Sequence, residues 1–145
     1  MSGCTDVDDL PILDFETLSK ENYNYGYTTP EEFVINDQET LENVYYTAFG
    51  CPTCGAPILP KVDFSKETVI AVFMGEKPTG GYGIEIMEIL DIDAERVFVF
   101  VQRTQPSDDC MVTQALTQPY HIIKTSKIYK EVKFGYYSDP VIKCD

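Results

Sequence analysis

Two closely spaced cysteines are the residues of this sequence best suited to chemistry. Cys51 and Cys54 form a C-x-x-C motif within FGCPTCGAP, and Cys110 and Cys144 lie far from it in the chain. Thiols at this spacing can form a disulfide, hold a zinc ion or act as a redox pair. We predict a disulfide framework among Cys51, Cys54, Cys110 and Cys144, whose pairing the spacing does not determine.

The zinc and redox alternatives each lack part of their usual pattern. A structural zinc site is tetrahedral, and no second C-x-x-C or H-x-x-H pair completes the ligand set. A redox pair is activated when it opens a helix, whereas CPTCG follows a predicted helix and leads into a proline-rich segment. Both stay open as alternatives, and we assign no metal and no cofactor.

The single histidine, His121, limits the catalytic options. It lies in the predicted strand PYHIIKTSK, on the face opposite Tyr120 and Ile122, and no nucleophile accompanies it in the sequence. We expect a half-buried or exposed histidine rather than a general base. The stretch DIDAER (Asp91, Asp93 and Glu95) lacks the turn glycine and the distal glutamate of a calcium loop, so we predict a hairpin turn. No catalytic residue is predicted, and we expect the chain not to be an enzyme.

A glycine-rich stretch, GEKPTGGYG, has the composition of a phosphate loop or of a tight turn. A phosphate loop needs a helix directly after its glycines, and neither the GxxxxGK[ST] nor the GxGxxG spacing occurs. Apolar strand-like segments flank the stretch on both sides, so we predict a rigid loop between two strands. Pro78 fixes its own φ, and Gly80 and Gly81 can adopt positive φ.

Strand patterns dominate the chain from residue 68 onward. Five segments are rich in β-branched and aromatic residues: TVIAVFMG, YGIEIMEIL, RVFVFVQRT, PYHIIKTSK and VKFGYY. Tyr23, Tyr25 and Tyr27 alternate as one face of an earlier strand. One helix is predicted over DQETLENVYYTAF, capped by Asn36 or Asp37. The expected fold class is mainly β (α+β): an antiparallel β-sandwich or partly open barrel with one covering α-helix.

The chain is strongly acidic. Its 145 residues include 24 acidic and 11 basic side chains, for a net charge of −13. Such a surface repels nucleic-acid phosphates and anionic lipids, so we expect no nucleic acid and a basic or cationic partner, with solubility alone as the alternative interpretation. No apolar run reaches the roughly 18 residues of a membrane span.

The first residues, MSGCTDVDD, are typical of a processed lipoprotein. A small-residue pair before a cysteine ends a lipoprotein signal, and Ser2-Gly3-Cys4 fits such an end. We therefore expect an exported protein at the cell surface or in the periplasmic or extracellular space, with Cys4 as the candidate lipid anchor. An incidental cysteine in a disordered terminus is the alternative. The organisation predicted is a flexible tether over residues 1–10 and a single β-rich domain over residues 11–145.

Four motifs occur in a characteristic order and spacing. They are Asp63-Phe64, Gly75, Thr79-Gly80-Gly81-Tyr82 and Thr117-Gln118-Pro119-Tyr120-His121. Together they resemble the C-terminal domain of the PrcB family, described as a protease-complex-stabilising subunit, over residues 62–125. The resemblance implies a small, non-enzymatic, exported domain, often in lipoproteins, that associates with a surface protease or another protein. The CPTCG insertion before Val62 departs from the family pattern.

The glycine-rich loop has a second, weaker likeness. KPTGGY is similar to the N-P-T-T-G loop of chagasin-type cysteine protease inhibitors, whose fold is an immunoglobulin-like sandwich. We predict a non-enzymatic protein-binding module, with a thiol redox or zinc-binding protein and a chagasin-like inhibitor as alternatives, and a purely structural turn as the remaining interpretation. Loops 76–82 and 105–119 are the expected contact regions. The predicted partner-binding residues are Lys77, Pro78, Thr79, Gly80, Gly81, Tyr82, Pro119 and Tyr120.

The disulfide framework is open to a direct test. We expect reduction to increase the intact mass of the purified chain, because each broken disulfide gains the hydrogens that cap its two sulfurs. Mass spectrometry before and after reduction, with pre-existing thiols alkylated first, measures the change. An unchanged mass would rule the framework out.

Overall fold

The computed structural model describes residues 11–137 and 141–143. The predicted tether over residues 1–10, Cys4 and Cys144 lie outside the described residues. The elements are β1 (Ile12–Leu13), β2 (Phe15–Glu21), β3 (Glu31–Ile35), α1 (Gln38–Phe49), β4 (Glu67–Phe73), β5 (Gly83–Asp91), β6 (Arg96–Pro106), β7 (Tyr120–Ser126), β8 (Glu131–Tyr136) and β9 (Val141–Lys143). In this part of the chain, no helix has the length and apolar character of a membrane span.

The strands form two sheets. Sheet A has the order β1-β5-β6-β8, with β9 also paired to β6, and sheet B has the order β2-β7-β4-β3. The predicted β-sandwich with one covering helix is confirmed. Pairing is antiparallel except for β8 and β9, which run parallel to β6. The two parallel pairs differ from the antiparallel sandwich that was predicted. They arise because the chain crosses from β6 to sheet B as β7 and then returns to sheet A as β8, in the same direction as β6.

Strand β4 is buried on both faces. Ile70 and Val72 belong to the cluster between the two sheets, which we call the inter-sheet core. Val69 and Phe73 belong to the cluster between sheet B and α1, which we call the helix-side core. Because neither face of β4 meets water, the strand is a continuous apolar run rather than an alternating one.

Helix α1 covers the outer face of sheet B. Asp37 is its N-cap, and the Asp37 carboxylate accepts a hydrogen bond from the Thr40 N–H at 2.8 Å. The buried side chains recur at intervals of three and four residues, as an amphipathic helix requires, and are Leu41, Val44, Tyr45 and Ala48. The predicted helix is confirmed, with Asp37 rather than Asn36 as the cap.

The alternating tyrosines do not form a strand. Tyr23, Tyr25 and Tyr27 lie in the loop after β2, which ends at Glu21. The Asn24 side chain accepts a hydrogen bond from the Tyr27 N–H at 2.8 Å and turns the chain there. Local side-chain to backbone bonds of this kind compete with strand pairing, so the prediction of a strand was wrong.

His121 joins the two sheets. Its side chain is 1% exposed, and its Nδ1 accepts a hydrogen bond from the Ile86 N–H of β5 at 2.9 Å. The other ring nitrogen, Nε2, lies 2.9 Å from Thr17 Oγ1 in β2. With Nδ1 as an acceptor, the neutral ring carries its proton on Nε2 and donates to Thr17. The expectation of a half-buried or exposed histidine was wrong, because strand alternation does not show which face is covered.

Burial disfavours the charged form of this imidazole. Burial, with a smaller contribution from the positive charge of Lys20, lowers the pKa of His121 from 6.5 to about 4. The unfolded chain therefore binds a proton at this residue near pH 6.5, whereas the folded chain does so only near pH 4. The contribution of neutral His121 to the free energy of unfolding is therefore complete above pH 6.5. It is lost as the pH falls from 6.5 towards 4.

Replacing His121 by glutamine should flatten this pH dependence. Between neutral pH and about pH 4, we expect the wild-type free energy of unfolding to fall by about 3 kcal/mol more than that of His121→Gln. Urea titrations across this range measure the difference, and the carboxylates titrate in both proteins and so cancel. Parallel stability profiles for the two proteins would contradict the low pKa.

Candidate functional site

Three loops meet at one end of the sandwich, and we call this end the loop platform. Its members are the β2–β3 loop (22–30), the β4–β5 loop (74–82) and the β6–β7 loop (107–119). The backbones of Lys77 and Thr117 exchange two hydrogen bonds, of 2.8 and 3.0 Å, and the Glu76 N–H donates to the Thr28 C=O at 2.9 Å. The predicted rigid loop between two strands is therefore held by a neighbouring loop on each side.

Two buried amide side chains lock the first loop to the third. Asn24 is 1% exposed and Gln118 is 4% exposed. The Asn24 amide donates to the Gln118 C=O at 3.0 Å, and the Gln118 amide donates to the Asn24 C=O at 2.8 Å. Sequence reasoning missed Asn24, because no local pattern shows that an asparagine between tyrosines will be buried.

Hydroxyl groups and glycines shape the interior of the β4–β5 loop. Thr117 Oγ1 donates to the Thr79 C=O at 2.8 Å. Gly81 has φ +90°, and a Cβ at this position would lie 2.8 Å from Pro106 Cβ. Gly80 does not adopt the predicted positive φ; instead its N–H donates to the Thr113 C=O at 2.9 Å. Thus only Gly81 of the pair needs left-handed backbone.

The predicted partner-binding residues divide into exposed and buried groups. Pro78 is exposed, and Lys77 and Tyr82 are half-buried, with the Lys77 ammonium 5.6 Å from the centre of the Tyr82 ring. Pro119 and Tyr120 are buried. A partner of the platform can therefore reach the first three side chains, whereas Pro119 and Tyr120 contribute to the packing beneath them.

The Tyr120 hydroxyl illustrates this packing role. It forms a 2.6 Å hydrogen bond with Ser19 Oγ, and burial raises the pKa of Tyr120. Its ring packs in the helix-side core against Phe49 and Phe73. Tyr120 thus anchors the start of β7 below the platform.

Exposed apolar side chains on the platform were missed by sequence reasoning. Met111 is 95% exposed and Leu116 is 56% exposed, both in the β6–β7 loop. Tyr23 and Tyr25 of the β2–β3 loop are half exposed and pack edge to face, with ring centres 5.4 Å apart. Exposed apolar patches are typical of protein-binding sites, and four large exposed side chains lie in two loops of the platform. The sequence of the β6–β7 loop has no periodicity from which the exposure of Met111 and Leu116 could be predicted.

The C-x-x-C motif forms a tight turn after α1. The Sγ atoms of Cys51 and Cys54 are bonded at 1.90 Å, and the Cys54 N–H donates to the Cys51 C=O at 3.2 Å. Cys51 follows the helix C-cap Gly50, where the negative end of the helix dipole disfavours a thiolate. Cys110 is also disulfide-bonded. The placement argues against a redox role, and the mass measurement remains the test of the disulfide framework.

The acidic stretch between β5 and β6 is the predicted hairpin turn. Asp93 Oδ1 accepts hydrogen bonds from the N–H groups of Glu95 and Arg96, at 2.8 and 2.9 Å, and these bonds lower the pKa of Asp93. Asp91 forms an ion pair with Lys130. Across residues 11–137 and 141–143, no group of three or more His, Cys, Asp or Glu side chains is placed to hold a metal ion.

One protein family matches the segment that builds most of the platform. Residues 68–126 match the PrcB C-terminal family model. This confirms the PrcB resemblance predicted for residues 62–125. The PrcB segment covers less than half of the chain, begins in β4 and ends with β7, and so contains the second and third loops of the platform. No curated protein and no solved structure matches the chain.

Two glycines with positive φ differ in the space around them. Substituting each by alanine therefore distinguishes the cost of backbone strain from the cost of steric contact. A Cβ at Gly55, with φ +76°, would meet no atom within 4 Å, whereas a Cβ at Gly81 would lie 2.8 Å from Pro106. We expect Gly55→Ala to cost about 1 kcal/mol of unfolding free energy. Gly81→Ala should cost about 1 to 3 kcal/mol more, because it adds a packing conflict to the same strain.

Chemical denaturation of the two variants and the wild-type protein measures this difference. Gly55→Ala is the matched control, since it introduces the same side chain at a similar φ. Equal losses in the two variants would show that the close contact between Gly81 and Pro106 does not shape the loop.

Proposed function

We propose that the chain is a protein-binding module whose loop platform contacts a protease or another member of a protease complex. One observation carries this proposal: hydrogen bonds hold the platform loops in place, and these loops present exposed apolar side chains, chiefly Met111 and Leu116. The match of residues 68–126 to the PrcB C-terminal family supports it, because the resemblance implies association with a protease.

The hydrogen bonds within the platform favour binding. A loop that is already ordered loses little conformational freedom when a partner covers it. The Asn24–Gln118 lock and the Lys77–Thr117 pairing order all three loops before any partner arrives. Burial of Met111 and Leu116 by the partner would then contribute to affinity through the removal of apolar surface from water.

We also propose that the chain is not an enzyme. The histidine that a hydrolase would use as a base has both ring nitrogens engaged inside the sandwich, with Ile86 and Thr17. Its pKa, lowered to about 4 by burial, keeps it neutral at physiological pH. These contacts support a structural role for His121, the single histidine of the sequence, rather than a role as a general base.

The location of the protein is proposed from the sequence. The Ser2-Gly3-Cys4 end supports export and a lipid anchor at Cys4. The net charge of −13 favours a partner that offers a basic contact surface.

Substituting the exposed apolar residues tests the platform without disturbing its scaffold. We expect the double variant Met111→Ser/Leu116→Ser to reduce recovery of a protease-complex component at least about tenfold in affinity purification from the native cells. Mass spectrometry identifies and quantifies the recovered proteins. These side chains are better targets than Gly81, because a Gly81 variant also changes the loop backbone.

A matched control removes exposed apolar surface elsewhere. Ile58 is 94% exposed and Tyr129 is 83% exposed, and both lie outside the platform. Ile58→Ser/Tyr129→Ser should retain the partner. The proposal fails if both double variants retain the partner equally, or if no protease or protease-associated protein is recovered with the wild-type chain.

A further inference from the structure

A cleft of about 580 Å³ lies between the two sheets beside the loop platform. Strand β3 of sheet B lines one side of it, and strands β5, β6 and β8 of sheet A line the other. Met74 and Ile84, which are 6% and 4% exposed, belong to its apolar lining. A volume of this size suits a small ligand or the end of a peptide chain.

An arginine faces into this cleft from a core position. Val97, Val99 and Val101 are alternate residues of β6, and all three are buried in the inter-sheet core. Arg103 is the next alternate residue, so it continues the inward-facing column. It lines the cleft, and its guanidinium carbon lies 5.2 Å from the centre of the Tyr136 ring.

One nitrogen of the Arg103 guanidinium, Nε, is buried without a hydrogen-bond partner. Among the described residues, this Nε is the one buried side-chain nitrogen or oxygen that makes no hydrogen bond. A buried donor left unsatisfied is costly, so such a group calls for an explanation. Arg96 at the other end of β6 behaves differently, since it pairs with Asp93 at 2.9 Å.

The acidic residues at the cleft accept hydrogen bonds from hydroxyl groups rather than from Arg103. Glu32 accepts a hydrogen bond from the Tyr136 hydroxyl at 2.7 Å, and Glu31 accepts one from Thr29 Oγ1 at 3.2 Å. Both glutamates are exposed, and Lys77 lines the same cleft as Arg103. The cleft therefore offers two cations beside an apolar lining, with its carboxylates turned to other donors.

We propose that this cleft binds an apolar carboxylate, with Arg103 as the residue that recognises the carboxylate group. A guanidinium offers two parallel N–H groups that match the two oxygens of a carboxylate. The lining around Met74 and Ile84 would receive the attached apolar group. The cleft shares Lys77 with the platform, but Met111 and Leu116, the side chains that carry the function proposed for the platform, do not line it.

Charge favours a carboxylate over a phosphate as the ligand. Glu31 and Glu32 lie at the same cleft, and the chain carries a net charge of −13. A dianion would be repelled more strongly than a monoanion by these groups. A carboxylate with this character is available at the C-terminus of a peptide and in a small organic acid.

Three probes separate these sources. They are N-acetyl-Ala-Ala-Phe with a free carboxylate, the same peptide as its C-terminal amide, and 3-phenylpropionate. We expect at least one of the two acids to shift the backbone amide resonances of Met74, Ile84 and Arg103 saturably in the full chain at neutral pH. The amide should bind at least about tenfold more weakly than the peptide acid if a chain end is the ligand. Tighter binding of 3-phenylpropionate than of the peptide acid would assign the site to a small acid.

The two arginines of β6 provide a matched pair of variants. Arg103→Gln and Arg96→Gln each remove one positive charge from the same strand. Arg103→Gln should weaken binding of the preferred acid at least about tenfold, and Arg96→Gln should leave it unchanged. Arg103→Lys, which keeps the charge and removes the planar fork, should also weaken binding.

The proposal has clear points of failure. Absence of saturable shifts with both acids would overturn it, and so would equal losses in Arg103→Gln and Arg96→Gln. If the peptide is the ligand, equal binding of its acid and amide forms to the wild-type chain would also overturn it. This last comparison needs no variant, so it stands even if a substitution at Arg103 impairs folding.

Discussion

The imidazole of His121 links the two sheets, because it contacts one irregular strand in each of them. Strand β5 has a bulge between Ile86 and Glu88, and β2 has a register shift between Thr17 and Ser19. His121 contacts both irregularities, since it accepts the Ile86 N–H and lies within hydrogen-bond distance of the Thr17 hydroxyl. A bulge turns an amide away from its ladder, and His121 provides the acceptor that such an amide needs inside the core.

The residues that carry the family resemblance are largely committed to holding the fold. Thr117 pairs with Lys77, Gln118 locks the first loop to the third, and the Pro119 C=O accepts the Met74 N–H. Tyr120 and His121 continue this series into the two cores. The motif therefore explains how the platform is built, whereas the identity of a partner must depend on the outward side chains that the scaffold carries.

The helix and most of the strands could be predicted because the sequence patterns that indicate them are local. The apolar run of β4 and the capped, amphipathic α1 each depend on a few consecutive residues, and both were predicted. The burial of His121 and Asn24 depends on strands and loops that are remote in the chain, as does the position of Arg103 at the mouth of the cleft. Strand alternation gives two faces for such residues, and only the packing of the sheets decides which face is enclosed.

The parallel pairing of β8 and β9 with β6 also determines which part of the chain protects β6. Strand β5 covers one edge of β6 as its hairpin neighbour, and the strands that cover the other edge come from the part of the chain that follows the passage through sheet B. A long strand with an open apolar edge can pair with another molecule instead. Protection of β6 thus depends on residues that follow β7 in the chain, and the short strand β8, with the exposed charges of Glu131 and Lys133, presents a charged edge in place of a long apolar one.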